Sequence, residues 1–197
     1  MIRRFTFAML TTLLLLAPLS VSAQPQTAEV ILKGKLDFIF FTLKREDIDL
    51  EKKKVLITDE VSPIFDFPLM GRLTLGKKSW SGLTKAQRTL FIKTFTEVMK
   101  SSYSDKLSLY TDEKIEIHPA QNPSPKKAII PTELISKEKR FAMEYKLYKS
   151  KGGWKIYDIT LQGVSLVATY RTQFNQVLSK EGFDVLIAKL GDIQVEP

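Results

Sequence analysis

Residues 140–161 read RFAMEYKLYKSKGGWKIYDITL, and this stretch decides the class of fold. Its first half alternates apolar and polar side chains, a pattern that puts one set on a single strand face: Phe141, Met143, Tyr145 and Leu147. Ser150-Lys151-Gly152-Gly153 is typical of a hairpin turn, and a second strand is predicted over 154–161. The stretch therefore predicts an antiparallel hairpin with one apolar face.

Further strands are predicted before this hairpin. Lys114-Ile115-Glu116-Ile117 alternates in polarity, and residues 128–135 are rich in β-branched side chains. Between them, residues 119–125 combine Asn122 with prolines, which predicts a loop. Together these segments predict an antiparallel sheet within residues 113–162.

Helical patterns flank the predicted sheet on both sides. A capping box at Thr84 and Gln87 predicts the start of a long amphipathic helix. Its apolar stripe is expected at Phe91, Phe95, Val98, Tyr103, Leu107 and Tyr110, with a break near Ser101-Ser102. Helical spacing also covers residues 24–60 and returns after Gly163, with a short final helix over 183–190. Helices over 24–112, a sheet over 113–162 and helices over 163–197 predict an α+β domain.

The first residues have the features of a secretory signal peptide. Arg3 and Arg4 precede an apolar run over residues 5–17, and Val21-Ser22-Ala23 puts small residues at the expected cleavage position. We expect residues 1–23 to be removed, which leaves one exported domain over residues 24–197. Of the 30 Lys and Arg, 28 then remain against 22 Asp and Glu, so the mature domain carries a formal charge of +6.

Composition excludes several kinds of chemistry. The chain has no cysteine and only one histidine, so a disulfide scaffold, a thiol nucleophile and a zinc site of two or three histidines are ruled out by counting. Residues 71–78 resemble a phosphate-binding loop, but Lys78 stands where that loop needs a hydroxyl for magnesium. Residues 163–167 fail the nucleophile pattern G-x-S-x-G at their fifth position. We predict no catalytic residues and no metal site.

The distribution of the basic residues bears on nucleic-acid binding, and that of the large apolar residues bears on the core. Lysines at 52–54, 77–78 and 126–127 are scattered and not interleaved with aromatic residues, which argues against nucleic-acid binding. Large apolar residues recur on the predicted helices and strands, and composition alone does not distinguish a filled core from a core that contains a pocket.

Several segments together resemble the MlaC-type family of periplasmic phospholipid-binding proteins, also called toluene-tolerance or Tgt-type proteins. The resemblance runs from about residue 55 to residue 190. It is carried by Phe65-Asp66-Phe67 with Met70 and Arg72, Leu75-Gly76 with Trp80, the helix residues Gln87, Phe91, Phe95 and Tyr103, the strand Gly153-Trp154-Lys155-Ile156-Tyr157-Asp158-Ile159, and Gly163-Val164-Ser165-Leu166-Val167 followed by Tyr170-Arg171.

The resemblance implies a fold and a function. The fold would be α+β, with a curved antiparallel sheet of the NTF2-like or cystatin-like kind, several helices packed on it and an apolar pocket between them. The function would be that of a monomeric periplasmic carrier without enzymatic activity or cofactor, with phospholipid as its cargo. Its partners would be an inner-membrane ABC transporter with an MCE-domain subunit and an outer-membrane lipoprotein–porin complex, and it would maintain outer-membrane lipid asymmetry.

We expect apolar side chains from the helices and strands to line this pocket, with the face of Phe141 and Met143 opposite the Phe91/Phe95 stripe and the helix over 164–174. The expected lining comprises Phe65, Phe67, Met70, Leu73, Phe91, Phe95, Val98, Tyr103, Phe141, Met143, Tyr145, Val164, Val167, Tyr170 and Phe174. The lipid headgroup is expected near the pocket mouth, in reach of Arg72, Lys77 or Arg171.

Two other functions stay open from the sequence. An NTF2-like enzyme acting on an apolar substrate would use a buried carboxylate as acid or base, for example Asp66 or Asp158. A carrier or chaperone for lipoproteins would use the same apolar pocket for a protein-linked acyl chain.

Overall fold

The computed structural model describes residues 26–109 and 112–192, so the predicted signal peptide over 1–23 lies outside the described residues. Within these ranges the chain forms helices, then a sheet, then helices. The helices are α1 (Ala28–Leu43), α2 (Leu50–Val61), α3 (Phe67–Gly82), α4 (Lys85–Lys106), α5 (Leu166–Glu181) and α6 (Phe183–Lys189), with 3₁₀ turns at Ser62–Ile64 and Leu107–Leu109. The strands are β1 (Lys114–Ile117), β2 (Gln121–Ser124), β3 (Lys127–Ser136), β4 (Lys139–Ser150), β5 (Gly153–Leu161) and β6 (Val164–Ser165).

The strands form one antiparallel sheet in the order β1-β3-β4-β5-β6, and β2 pairs with β3 on the same edge as β1. The β4–β5 hairpin has the predicted turn, with Ser150 opposite Gly153. The predicted α+β class, an antiparallel sheet packed by helices, is confirmed.

One irregularity of the sheet shapes its inner face. Lys146 pairs with Asp158 while Leu147 pairs with Ile156, so Tyr157 is an extra residue in β5. A bulge of this kind shifts the alternation of side chains by one residue. As a result Ile156 and Ile159, although three positions apart, both point to the same apolar side of the sheet.

The helix predictions agree with the structure in part. The capping box at Thr84 and Gln87 is present, with Thr84 Oγ1 accepting from the Gln87 backbone N–H at 3.2 Å. The break expected near Ser101-Ser102 is wrong, because α4 continues through these residues to Lys106. Of the residues with predicted helical spacing, those from Ala28 onward form two helices, α1 and α2, separated by a segment after Leu43 in which Asp49 caps α2 by accepting from the Lys52 N–H at 2.7 Å.

One local prediction missed regular structure, and one helix within the predicted helical region is interrupted. The loop expected over 119–125 is wrong, because residues 121–124 form β2, which pairs irregularly with β3. Residues 67–82 form α3, although a glycine interrupts it: Gly76 has φ 72°, a left-handed conformation that favours glycine. Asp66 caps this helix by accepting from the Leu69 N–H at 2.9 Å.

Apolar side chains form two clusters. The sheet cluster lies between the inner face of the sheet and α1, with Leu32, Leu36, Ile130, Tyr145, Leu147 and Ile156 among its buried members. The helix cluster lies among α3, α4, α5 and α6, with Phe91, Phe95, Met99, Tyr170, Phe174 and Leu186 among its buried members. Phe65, just before α3, packs against both clusters.

Candidate binding cavity

A cavity of about 590 Å³ lies between the inner face of the sheet and the helices α1, α2, the start of α3 and the end of α4. Its walls are almost wholly apolar. Strands β4 and β5 contribute Phe141, Met143, Tyr145, Ile156, Ile159 and Leu161. The alternation of β4 and the bulge of β5 thus direct large side chains from neighbouring strands into one space.

The helices close the opposite side of the cavity. Leu32, Leu36 and Ile39 follow one another at helical spacing on α1 and line the cavity together, and Ile57 and Val61 do the same on α2. These five residues were not among the predicted lining. Their spacing is a signal that sequence analysis could have used, but it equally fits an ordinary helix that packs against a sheet.

The buried tyrosine of β4 reports a dry environment. Tyr145 is 8% exposed, and burial raises the pKa of its hydroxyl to about 12. Burial disfavours the charged phenolate, so the ring and hydroxyl stay neutral at any physiological pH. The cavity wall at this point presents no charge to a ligand.

The end of α4 forms the more polar part of the lining. The residue Tyr103 is 39% exposed, yet partial burial of its hydroxyl raises the pKa of that group, and the nearby Tyr170 raises it further. Both observations fit a ring that borders the cavity rather than open solvent. The Lys106 Nζ lies 5.8 Å from the centre of this ring, within the range of a cation–π contact. Lys100 and Ser104 stand beside Tyr103 on the same helix and also line the cavity.

The structure places the predicted lining residues in two groups. Seven of them border the cavity: Phe65, Phe67, Met70, Tyr103, Phe141, Met143 and Tyr145. Of the other eight, Phe91, Phe95, Tyr170 and Phe174 are buried in the helix cluster and Val98 packs against it, Val167 is buried at the start of α5, Leu73 is half-buried in α3, and Val164 is 56% exposed. A role of these eight in binding stays a prediction.

The helix cluster is filled rather than hollow. The Phe174 ring lies 5.9 Å from the Phe91 ring, 6.4 Å from the Phe95 ring and 5.2 Å from the Tyr170 ring, centre to centre. Edge-to-face and tilted rings at these distances are in contact with one another. The Met143 face of β4 therefore meets α1 and the cavity, not the Phe91/Phe95 stripe that the sequence suggested.

The three basic residues expected at the headgroup lie outside the cavity lining. Arg72 and Lys77 are exposed on α3. Arg171 Nε donates to the Leu73 carbonyl at 2.8 Å, and its side chain lies beside Gly76. It therefore ties α5 to the point where α3 is interrupted. Headgroup binding by these residues stays a prediction.

The two carboxylates considered for an enzyme have structural partners. Asp66 accepts from the Leu69 N–H and from the Tyr148 hydroxyl, whose pKa it raises. Asp158 is 6% exposed and accepts from Lys146 Nζ at 3.2 Å, Ser165 Oγ at 2.8 Å and the Val167 N–H at 3.2 Å. It thus fixes the start of α5 against β5.

One group of potential metal ligands occurs in the described part of the chain. Glu116, His118 and Glu133 offer ligand atoms within 4.8 Å of one another at the β1–β3 edge. Arg140 Nη1 already lies 2.9 Å from Glu116 and 2.7 Å from Glu133. This guanidinium supplies the positive charge that a cation would bring, and the group is explained as an ion-pair network on the sheet surface.

Comparisons with known proteins agree with this architecture. The model of the MlaC protein family matches residues 36–192. The intermembrane phospholipid transport system binding protein MlaC of Haemophilus influenzae is 24% identical over 149 residues, 73% of this chain and 69% of that protein. The structure of a phospholipid-binding protein from Ralstonia solanacearum in complex with a phospholipid has a TM-score of 0.71 and 24% identity, covering 84% of this chain and 99% of that one. Both proteins are described as binding proteins, and this agrees with the prediction of a non-catalytic protein. Within residues 26–109 and 112–192, none of the helices is long and apolar enough to cross a membrane.

Proposed function

Because the chain belongs to the MlaC protein family, whose model matches residues 36–192, we propose that it carries glycerophospholipid, with the acyl chains held in the cavity between the sheet and the helices. The observation that carries this proposal is the cavity itself: about 590 Å³ of space with almost wholly apolar walls. The phospholipid complex of the Ralstonia protein, which has the same fold, supports it.

The size of the hydrophobic effect explains why a carrier needs such a cavity. Each methylene removed from water contributes about 0.8 kcal/mol, so one chain of about sixteen carbons needs shelter of roughly 13 kcal/mol. An exposed surface does not provide that shelter, since the chain would keep much of its contact with water. Apolar walls without directional hydrogen bonds also accept acyl chains of different length and unsaturation.

We propose further that the protein works in the periplasm. There it would exchange lipid between an inner-membrane ABC transporter with an MCE-domain subunit and an outer-membrane lipoprotein–porin complex, and so maintain outer-membrane lipid asymmetry. The name of the Haemophilus relative, a binding protein of an intermembrane phospholipid transport system, supports this role. The basic N-terminal segment followed by an apolar run supports export.

The test is to purify residues 24–197 from a bacterial periplasm, extract the protein with solvent and identify bound lipid by mass spectrometry. We expect glycerophospholipid in the extract, and uptake of phospholipid from vesicles by the delipidated protein. A preparation that is consistently free of lipid and takes none from vesicles would refute the proposal. Co-purification of acylated protein instead of phospholipid would support the lipoprotein-carrier alternative.

A further inference from the structure

The charged residues of the cavity lining all have the same sign. Within the described residues, the lining contains Lys35, Lys100 and Lys106 and no aspartate or glutamate. Lys100 and Lys106 are exposed residues of the last two turns of α4, on either side of Tyr103. The opening of the apolar cavity, called its mouth below, is therefore bordered by lysine ammonium groups.

The neighbouring carboxylates neutralise only part of this charge. Lys35 forms an ion pair with Glu60 at 2.6 Å. Asp105 lies next to Lys106 in sequence, but its carboxylate is 3.7 Å from Lys54 Nζ, which Glu51 also contacts at 2.9 Å. In the part of the chain that the structure describes, neither Lys100 nor Lys106 has a carboxylate within salt-bridge distance, so the mouth keeps an excess of positive charge.

We propose that Lys100 and Lys106 bind the phosphate of the carried lipid and favour a lipid whose headgroup has a net negative charge. This inference rests on the proposed function and adds a preference among phospholipids. A lysine ammonium is a compact charge with three donors, which suits phosphate oxygens. A zwitterionic headgroup brings its own ammonium group to the same place, where the two lysines repel it. The Ser104 hydroxyl, which also lines the cavity, offers a further donor.

The expected preference is modest because both lysines are exposed. Both headgroups carry the phosphate, so the preference comes from the repulsion between the two lysines and the ammonium group of the zwitterionic headgroup. Exposed charge pairs contribute little individually, and two of them correspond to a preference of about threefold to tenfold for the anionic headgroup. Lys85 and Lys93 give a matched control, since they are exposed lysines of the same helix that lie outside the cavity lining.

The experiment is a competition within one membrane. The delipidated protein is mixed with vesicles of equimolar phosphatidylethanolamine and phosphatidylglycerol, reisolated and extracted, and the ratio of the two bound lipids is measured by mass spectrometry. Because both lipids share the same vesicle, attraction of the basic protein to the membrane surface does not change this ratio. The variants are Lys100→Gln with Lys106→Gln, the charge reversals Lys100→Glu with Lys106→Glu, and Lys85→Glu with Lys93→Glu as the control of equal charge change.

We expect the wild-type protein and the Lys85/Lys93 control to be enriched about threefold to tenfold in phosphatidylglycerol. The Gln variant should return to the ratio of the vesicle, and the Glu variant should favour phosphatidylethanolamine, while total lipid uptake persists through the acyl contacts. Inorganic phosphate added in equal amount to the lipid should leave the ratio unchanged, and displacement of lipid by it would mean a site for free phosphate instead. An unselective wild-type protein, or a ratio that changes equally in the Lys85/Lys93 control, would overturn the inference. Failure of the wild-type protein to take up any lipid would instead refute the proposed function.

Discussion

Replacing Met143 by tryptophan tests whether the cavity is the space that holds the cargo. Met143 and Leu147 lie four residues apart on the same face of β4, and methionine and leucine have similar volumes. Met143 lines the cavity, whereas Leu147 is 0% exposed and lies in the filled part of the sheet cluster. The same substitution at Leu147 is therefore a matched control.

The two variants should lose different properties. In a filled core, added bulk costs about 1–3 kcal/mol. The melting temperature of a domain of this size falls by about 2–4 °C for each kcal/mol, so Leu147→Trp should melt clearly below the wild type. In Met143→Trp the larger ring enters a space of about 590 Å³ and the fold should be spared. Its roughly six additional heavy atoms displace a similar number of methylenes, which weakens lipid binding by about 5 kcal/mol, and this corresponds to roughly three to four orders of magnitude.

The measurements are thermal melts of both delipidated variants and uptake of phospholipid from vesicles, normalised to folded protein. We expect a normal melt without uptake for Met143→Trp, and a lowered melt with uptake for Leu147→Trp. If Met143→Trp is as destabilised as Leu147→Trp and still takes up lipid, then the space beside Met143 is filled in solution and the cargo lies elsewhere.

Three further predictions concern the framework around the cavity. Phe174→Ala should lower the free energy of unfolding by about 3–5 kcal/mol in a denaturant titration, because it leaves a cavity in the helix cluster. The protein that remains folded should still take up lipid. A loss below about 1 kcal/mol would mean that this cluster is loosely packed. Gly76→Ala should destabilise the protein by about 1–2 kcal/mol, because Gly76 has a φ of 72°. Gly34→Ala, in α1 with open space around a new Cβ, should instead stabilise the protein by up to about 1 kcal/mol. Equal effects of the two substitutions on the free energy of unfolding would contradict the strain argument. Burial raises the pKa of Tyr145 from about 10 in the unfolded chain to about 12. The contribution of its neutral hydroxyl to stability is therefore complete below about pH 10 and is lost as the pH rises toward 12, so the Tyr145→Phe variant should lose less stability than the wild type in alkaline melts. Identical pH profiles of the two proteins would show that this hydroxyl does not titrate as expected.

Much of the fold could be predicted because its signals are local. The alternation of residues 141–147 and the glycine-containing turn after Ser150 define the β4–β5 hairpin, and the Thr84/Gln87 capping box defines the start of α4. The family resemblance, which is spread over most of the chain, is confirmed by the match over residues 36–192. The missed strand lacks such a signal, because β2 contains Pro123 at a sheet edge, where a missing N–H is tolerated.

The cavity was harder to predict because empty space has no residue type of its own. Phe95 and Phe141 are the same amino acid on equally periodic segments, yet one is buried among aromatic rings and the other borders the cavity. The difference depends on which elements face each other, and side chains of α1, not of α4, belong to the sheet cluster. Lys100 and Lys106 were missed for a similar reason, since on a helix they resemble any solvated lysine until the cavity beside them is known.

The separation of the two apolar clusters has a consequence for how this protein tolerates change. A carrier spends part of its working cycle empty, and a chain whose only core was the cargo space would unfold or aggregate at that stage. Here the helix cluster around Phe174 joins α3, α4, α5 and α6, and its central rings lie outside the cavity lining. Substitutions at half-buried wall residues such as Phe141 and Met143 are therefore expected to alter what is carried at less cost in stability than substitutions at a fully buried wall residue such as Ile156. The wall thus contains positions at which the cargo can change while the fold is kept, and others on which binding and folding both depend.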